Sequence, residues 1–121
     1  MEIFIMEPMI TYSVKNTLCP VASALSAIEG KWKLPILWIL SHKKVMRYNE
    51  LKKSIEDITN MMLSSSLKDL EERGIVNRVQ YNEIPPRVEY SLTDVGKKLL
   101  PVLNELASWG ENLLDKASSQ K

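Results

Sequence analysis

At Gly74 the apolar period of the chain changes, and that change limits the folds open to it. Before the glycine, in "NMMLSSSLKDLEERG", Met62 or Leu63, then Leu67 and Leu70, recur at helical spacing. After it, "IVNRVQY" and "RVEYSL" alternate as strands do. Ile75, Val79 and Tyr81 share one face of the first run, and Val88, Tyr90 and Leu92 share one face of the second. The two runs, joined through "NEIPP", form a hairpin. A lone hairpin is marginal in water, so this one must rest on helices supplied by the rest of the chain.

The first helix is expected in "CPVASALSAIEG". Pro20 suits a first helical position, where its missing N–H costs nothing, so Cys19 is the N-cap and Gly30 the stop. In "KWKLPILWILSH", Trp32, Ile36, Leu37, Ile39 and Leu40 give a broad apolar face, and Pro35 falls in the first turn, where backbone donors are unpaired anyway. "RYNELKKSI" reads as a short helix with Tyr48, Leu51 and Ile55 at helical spacing. Thr59 is the expected N-cap of the next helix and Gly74 its end. Thr93 caps a last helix from about Asp94 to Lys116, kinked at Pro101. The chain thus divides into an N-terminal arm over 1–18, a candidate dimer contact, one domain over 19–116 and a flexible tail over 117–121. The fold class is mainly α (α+β): a winged helix-turn-helix with a two-stranded wing and a long C-terminal dimerisation helix.

Composition acts mainly by exclusion. One cysteine and one histidine, His42, leave no disulfide framework and make an all-protein metal site improbable, and no cofactor is expected. There is no Ser-His-Asp set, no Gly-rich phosphate loop and no carboxylate pair with a plausible pocket, so an enzyme is not expected. No apolar run spans a bilayer and "MEIFIMEPMI" is a poor signal peptide, which points to the cytoplasm. The net charge is only +1, so affinity for nucleic acid has to come from local clustering. Lys31, Lys33, Lys43, Lys44, Arg47, Lys52 and Lys53 crowd the front half, while many acids lie elsewhere.

The outer side of the Thr59–Lys68 segment carries Asn60, Met61, Ser64, Ser65 and Lys68. Short donors and acceptors let a helix sit deep in a major groove and reach base edges or phosphates, and the helix N-terminus favours phosphate. The competing explanation is a solvated face. In the wing, Pro85 and Pro86 each hold φ near about −65° and donate no hydrogen bond, which stiffens the turn. Arg87 follows as a cation for phosphate or a minor groove, unless it pairs with Glu83 or Glu89. Arg47 and Arg78 complete the candidate DNA-binding set. A winged-helix module that binds protein without specific DNA binding is the rival function. Such a module needs neither the short polar face nor the cationic wing.

The last helix has more apolar surface than one small domain needs. Val95, Leu99, Val102, Leu106, Trp109 and Leu113 form one stripe; Gly96, Leu100, Leu103, Ala107, Gly110 and Leu114 form another. One can pack on the parent domain and the other on a second copy. Ala107 and Gly110 permit close approach, so Leu100, Leu103, Ala107, Gly110 and Leu114 are taken as the dimer interface. Cys19, at a helix N-terminus and with Lys15 near it in sequence, is a candidate redox-sensing thiol; a buried, inert cysteine is the alternative.

"CPVASALSAIEGKWKLPIL", "RYNELKKSIEDITNMMLSSSLKDLEERGIV" and "PPRVEYSLTDVGKKLLPVLNELASWG" together resemble the HxlR-type winged-helix transcriptional regulators of bacteria and archaea. The likeness runs from about Cys19 to Gly110. It departs from the usual pattern at Pro35 and in the serine run 64–66, where longer polar side chains such as Gln are common. The resemblance implies a homodimer that binds double-stranded DNA, with Thr59–Lys68 as recognition helix and Asn82–Arg87 as wing tip. It also implies that Cys19 stands where several such regulators keep a thiol that responds to oxidants or electrophiles. A small-molecule or electrophile effector is compatible with the resemblance, but neither its identity nor the operator sequence is implied.

Overall fold

The computed structural model describes residues 19–119; the arm over 1–18, with Lys15, and residues 120–121 lie outside the described residues. In chain order the elements are α1 (Pro20–Ile28), α2 (Lys33–His42), β1 (Met46–Arg47), α3 (Tyr48–Ser54), α4 (Asn60–Glu72), β2 (Val76–Tyr81), β3 (Arg87–Leu92), α5 (Asp94–Lys98) and α6 (Leu100–Ser119). The core gathers Ile36, Leu37 and Leu40 of α2, Leu51 of α3, Leu63, Leu67 and Leu70 of α4, Val76, Tyr90 and Leu92 of the sheet and Leu103 of α6. Each such side chain taken from water contributes about 1.5–3 kcal/mol. Leu63, not Met62, begins the inner stripe of α4: Leu63 is fully buried and Met62 is exposed.

The helix ends follow the expected chemistry. Thr59 Oγ1 accepts from the Met62 amide at 3.1 Å. Gly74 takes φ +77° and its amide donates to Glu71 O at 3.0 Å, a left-handed stop that a residue with a Cβ rarely adopts. After α1 the Glu29 amide donates to Leu25 O at 2.7 Å, and Gly30 follows with a positive φ of +114°.

The structure extends one expectation and corrects two. First, the two-stranded wing is joined by a short third strand, in the antiparallel order β1-β3-β2, because Met46 pairs with Tyr90 and Arg47 with Glu89. A two-residue strand shows no alternation, so it leaves no sequence signal. Second, Val79 and Tyr81 of β2 face away from the core. They pair with Glu89 and Arg87, whereas Val76 pairs with inward Leu92. Only the start of β2 meets the helices, and beyond it the hairpin projects, so nothing there requires an apolar inner face. Third, the C-terminal helix is two helices that break at Leu99. The Pro101 ring crowds the carbonyl four residues back and lacks an N–H, which suits the first turn of a new helix. The second helix runs on to Ser119, so the expected tail begins helical.

Asp69 joins α2 to α4. Its carboxylate accepts from Lys33 Nζ and, at 2.8 Å, from Arg73 Nε. Those bonds, Lys33's first and Arg73's second, hold its pKa below the usual carboxylate range. A lowered folded-state pKa contributes stability that is present above the unfolded value, about 3.9, and is lost as pH falls through the folded one. Asp69→Asn is therefore expected to lower the urea midpoint at neutral pH. That difference from the parent should vanish in acid; a gap that persisted at low pH would assign the loss to packing.

Candidate nucleic-acid interface

The helix-turn-helix is set by residues 55–59. Ile55 and Ile58 are both buried beneath this turn, and Asp57 takes φ +68°, so the chain reverses tightly between α3 and α4. With Leu63, Leu67 and Leu70 turned inward, the rest of α4 is placed by periodicity. Asn60, Met61, Ser64, Ser65 and Lys68 are all exposed, Met61 most of all at 81%. No acid lies among them. The Thr59 cap leaves the amide-rich end of α4 open to an anion.

Tyr48, which the sequence offers only as an inward residue of α3, takes part in this surface. Its ring packs against the core while its hydroxyl reaches α4. That oxygen lies 3.1 Å from the Asn60 carbonyl O, 3.2 Å from Asn60 Oδ1 and 3.0 Å from Ser64 Oγ. The available signal was a phenol where an apolar residue would serve, because a tyrosine hydroxyl near a core usually finds a partner.

The cations divide. Arg47 is exposed beside the start of α3, where its amide donates to Glu50 Oε1 at 2.8 Å. Arg47, Asn49, Ile84, Pro85 and Pro86 border one cleft, so the start of α3 and the wing tip stand across it from each other. Arg78 Nη2 donates to Gln80 Oε1 at 3.1 Å. Lys33 is held by Asp69, and Lys31 lies 4.9 Å over the Trp32 ring. Arg87 does not extend as an open cation: its Nε is 3.6 Å from both Glu83 and Glu89, and its guanidinium sits 4.1 Å over the Tyr81 ring. Ile84 at the wing tip is fully exposed.

Away from α4, the two stripes of the C-terminal region are sorted. Leu103 is 5% exposed in the chain's own core and Leu100 packs against it, so these two serve the parent domain. Ala107 and Gly110 are half-buried and Leu114 is exposed. The other stripe stands open, with Val102, Leu106, Trp109 and Leu113 all exposed. An apolar groove lined by Leu34, Pro35, Trp38, Leu103, Leu106 and Ala107 runs beside it between α2 and α6. Cys19 is the N-cap of α1, half-buried, and its side chain makes no cap hydrogen bond. Among the described residues no three His, Cys, Asp or Glu side chains gather as a metal site requires, and no helix is long and apolar enough to cross a membrane.

Comparison with known proteins agrees with this geometry. Residues 27–118 match the model of the HxlR-like helix-turn-helix family. An HTH-type transcriptional regulator of Halalkalibacterium halodurans is 50% identical over 91 residues, covering 75% of this chain and 80% of that protein. The crystal structure of the HTH-type transcriptional regulator ytcD superposes with a TM-score of 0.76 at 41% identity, over 81% of this chain and 99% of the other. The redox regulator HypR in its reduced form gives 0.75 at 40% identity, over 84% and 99%.

Proposed function

Because the chain belongs to the HxlR-like helix-turn-helix family and is a transcriptional regulator with that fold, we propose that it acts in the cytoplasm as a homodimer on an inverted-repeat operator. In this reading α4 enters the major groove, and the β2–β3 wing lies on the backbone or in the minor groove. The observation that carries it is the outer face of α4: small polar side chains and one lysine, without an acid, on a helix whose N-terminus is capped and open. Asn60, Ser64 and Ser65 read base edges, Met61 offers an apolar contact, and Thr59 and Lys68 meet phosphate. Arg47 and Arg78 supply flanking cations. The two carboxylates beside Arg87 support a different part for it, that of shaping the wing rather than paying out its charge to phosphate.

Binding-site selection from random duplex tests the reading. Ser65→Ala should cost about 1–3 kcal/mol of discrimination at one base position and little on random DNA. Lys68→Ala should weaken every sequence alike and reduce the salt slope by about one. Equal losses on operator and random duplex would show that Ser65 reads no base. A parent protein that prefers no duplex at all would favour a protein-binding winged helix.

The position of Cys19, with the likeness to a named redox regulator, supports a response of this chain to oxidants or electrophiles through that thiol. With no second cysteine in the sequence, the products open to it are a Cys19–Cys19 bridge between subunits, a mixed disulfide with a small thiol, or an alkylated thiol. Diamide or quinone is expected to change operator affinity of the parent and leave Cys19→Ser unaffected. A Cys19 that resists labelling until denaturation, with identical oxidant responses in both proteins, would remove the thiol from the mechanism.

A further inference from the structure

We propose that Tyr48, on α3, determines which bases α4 accepts, by fixing the hydrogen-bonding polarity of Asn60 and Ser64. The assignment rests on α4 being the recognition helix. It follows from counting protons at the Tyr48 hydroxyl. A phenol has one. Two of its three neighbours, Asn60 O at 3.1 Å and Asn60 Oδ1 at 3.2 Å, are carbonyl oxygens that can only accept. The phenol proton is therefore directed to Asn60, shared between these two oxygens. The third neighbour, Ser64 Oγ at 3.0 Å, must then supply its own proton to the phenol oxygen.

Both side chains are left with one polarity toward DNA. Asn60 Oδ1 is turned back to Tyr48, so the Nδ2 group, with two donors, is what the first turn of α4 offers. Ser64 has spent its proton and offers lone pairs. The two-pronged pairing of asparagine with adenine needs Oδ1 to accept from N6 while Nδ2 donates to N7. Tyr48 opposes that pairing. The donor face of Asn60 instead suits bases whose major-groove edge only accepts at the contact, above all N7 and O6 of guanine. Asn60 is the first residue of α4, in the part of a recognition helix that reaches base edges.

Tyr48→Phe keeps the ring packed on the core and removes only the hydroxyl. It frees Oδ1, so the base pair read by Asn60 should move toward adenine by about tenfold relative to guanine. Thermal stability should fall by no more than the lost hydroxyl contacts account for. The experiment selects an operator with the parent protein, then titrates its single-base variants with the parent, Tyr48→Phe, Asn60→Ala and the double variant. A shift confined to one base pair per half-site, and absent when Asn60 is alanine, is the expected result. Unchanged preferences in Tyr48→Phe, where Asn60→Ala does alter them, would overturn the assignment, as would a uniform loss on all sequences. If the parent shows no preference among duplexes, the recognition-helix reading fails first, and that failure is visible before any variant is made.

Discussion

Trp109→Glu is expected to convert the protein to a monomer and to lower operator affinity about a thousandfold, close to the level of random DNA. Val102, Leu106, Trp109 and Leu113 recur at spacings of four, three and four along α6, the period of a two-helix seam. All are exposed in the isolated chain, Trp109 at 60%. The groove between α2 and α6 extends the apolar area with Leu34, Pro35 and Trp38. Contiguous apolar surface of this kind marks an interaction site, and a tryptophan at its centre is the usual anchor. A glutamate there would be buried unpaired in the dimer, which costs more than the lost contact alone. Monomers present one recognition helix and lose the second half-site, about 34 Å away. Sedimentation at micromolar concentration and gel shift on the selected operator measure both effects. Glu105→Lys, on the exposed polar side, should change neither. A Trp109→Glu protein that still sediments as a dimer would move the seam elsewhere.

The same helix shows where sequence reading reaches its limit. Two apolar stripes were legible, and from them a partner for one was expected. Their assignment was not. Leu103 and Leu106 are both leucines, and only the angle at which α6 leaves Leu99 decides that Leu103 enters the core. Leu103→Glu, a natural choice for breaking a dimer, is a core substitution here and would unfold the chain. By contrast, the inner stripe of α4, its Thr59 cap and its Gly74 stop were readable, because helical periodicity and terminal chemistry are local. What depended on contacts between distant residues was not: the two residues of β1 opposite Tyr90 and Glu89, the inner face of β2, and the Tyr48 hydroxyl against Asn60 and Ser64. Arg87 is an intermediate case. Both its candidate carboxylates were visible in sequence, but the Tyr81 ring beneath it follows from the strand register.

Gly96→Ala should be strongly damaging for so small a substitution, lowering stability by about 3 kcal/mol. In an ordinary helix the same change stabilises by about 1 kcal/mol, because alanine is the better helix former, so the expected sign is reversed. The cause is a junction of main chains. Thr93 Oγ1 accepts from the Gly96 amide at 3.0 Å and donates to Gly74 O at 2.6 Å, while the Thr93 amide donates to Ile75 O at 3.0 Å. These bonds draw α5 down onto the link between α4 and β2. A Cβ at Gly96 would collide with the Ile75 carbonyl oxygen and press Leu92 at 3.2–3.3 Å. A backbone oxygen already bonded to Thr93 cannot move aside without breaking that bond, and Leu92 is buried beneath it. Relief must come from lifting α5, which carries α6 with it. The loss is a large share of the roughly 5–15 kcal/mol that holds a domain of this size together. A denaturant titration at fixed protein concentration reads it directly. A Gly96→Ala protein as stable as the parent would mean that the α5 junction has slack, and that Thr93 rather than the missing side chain sets how closely α5 sits.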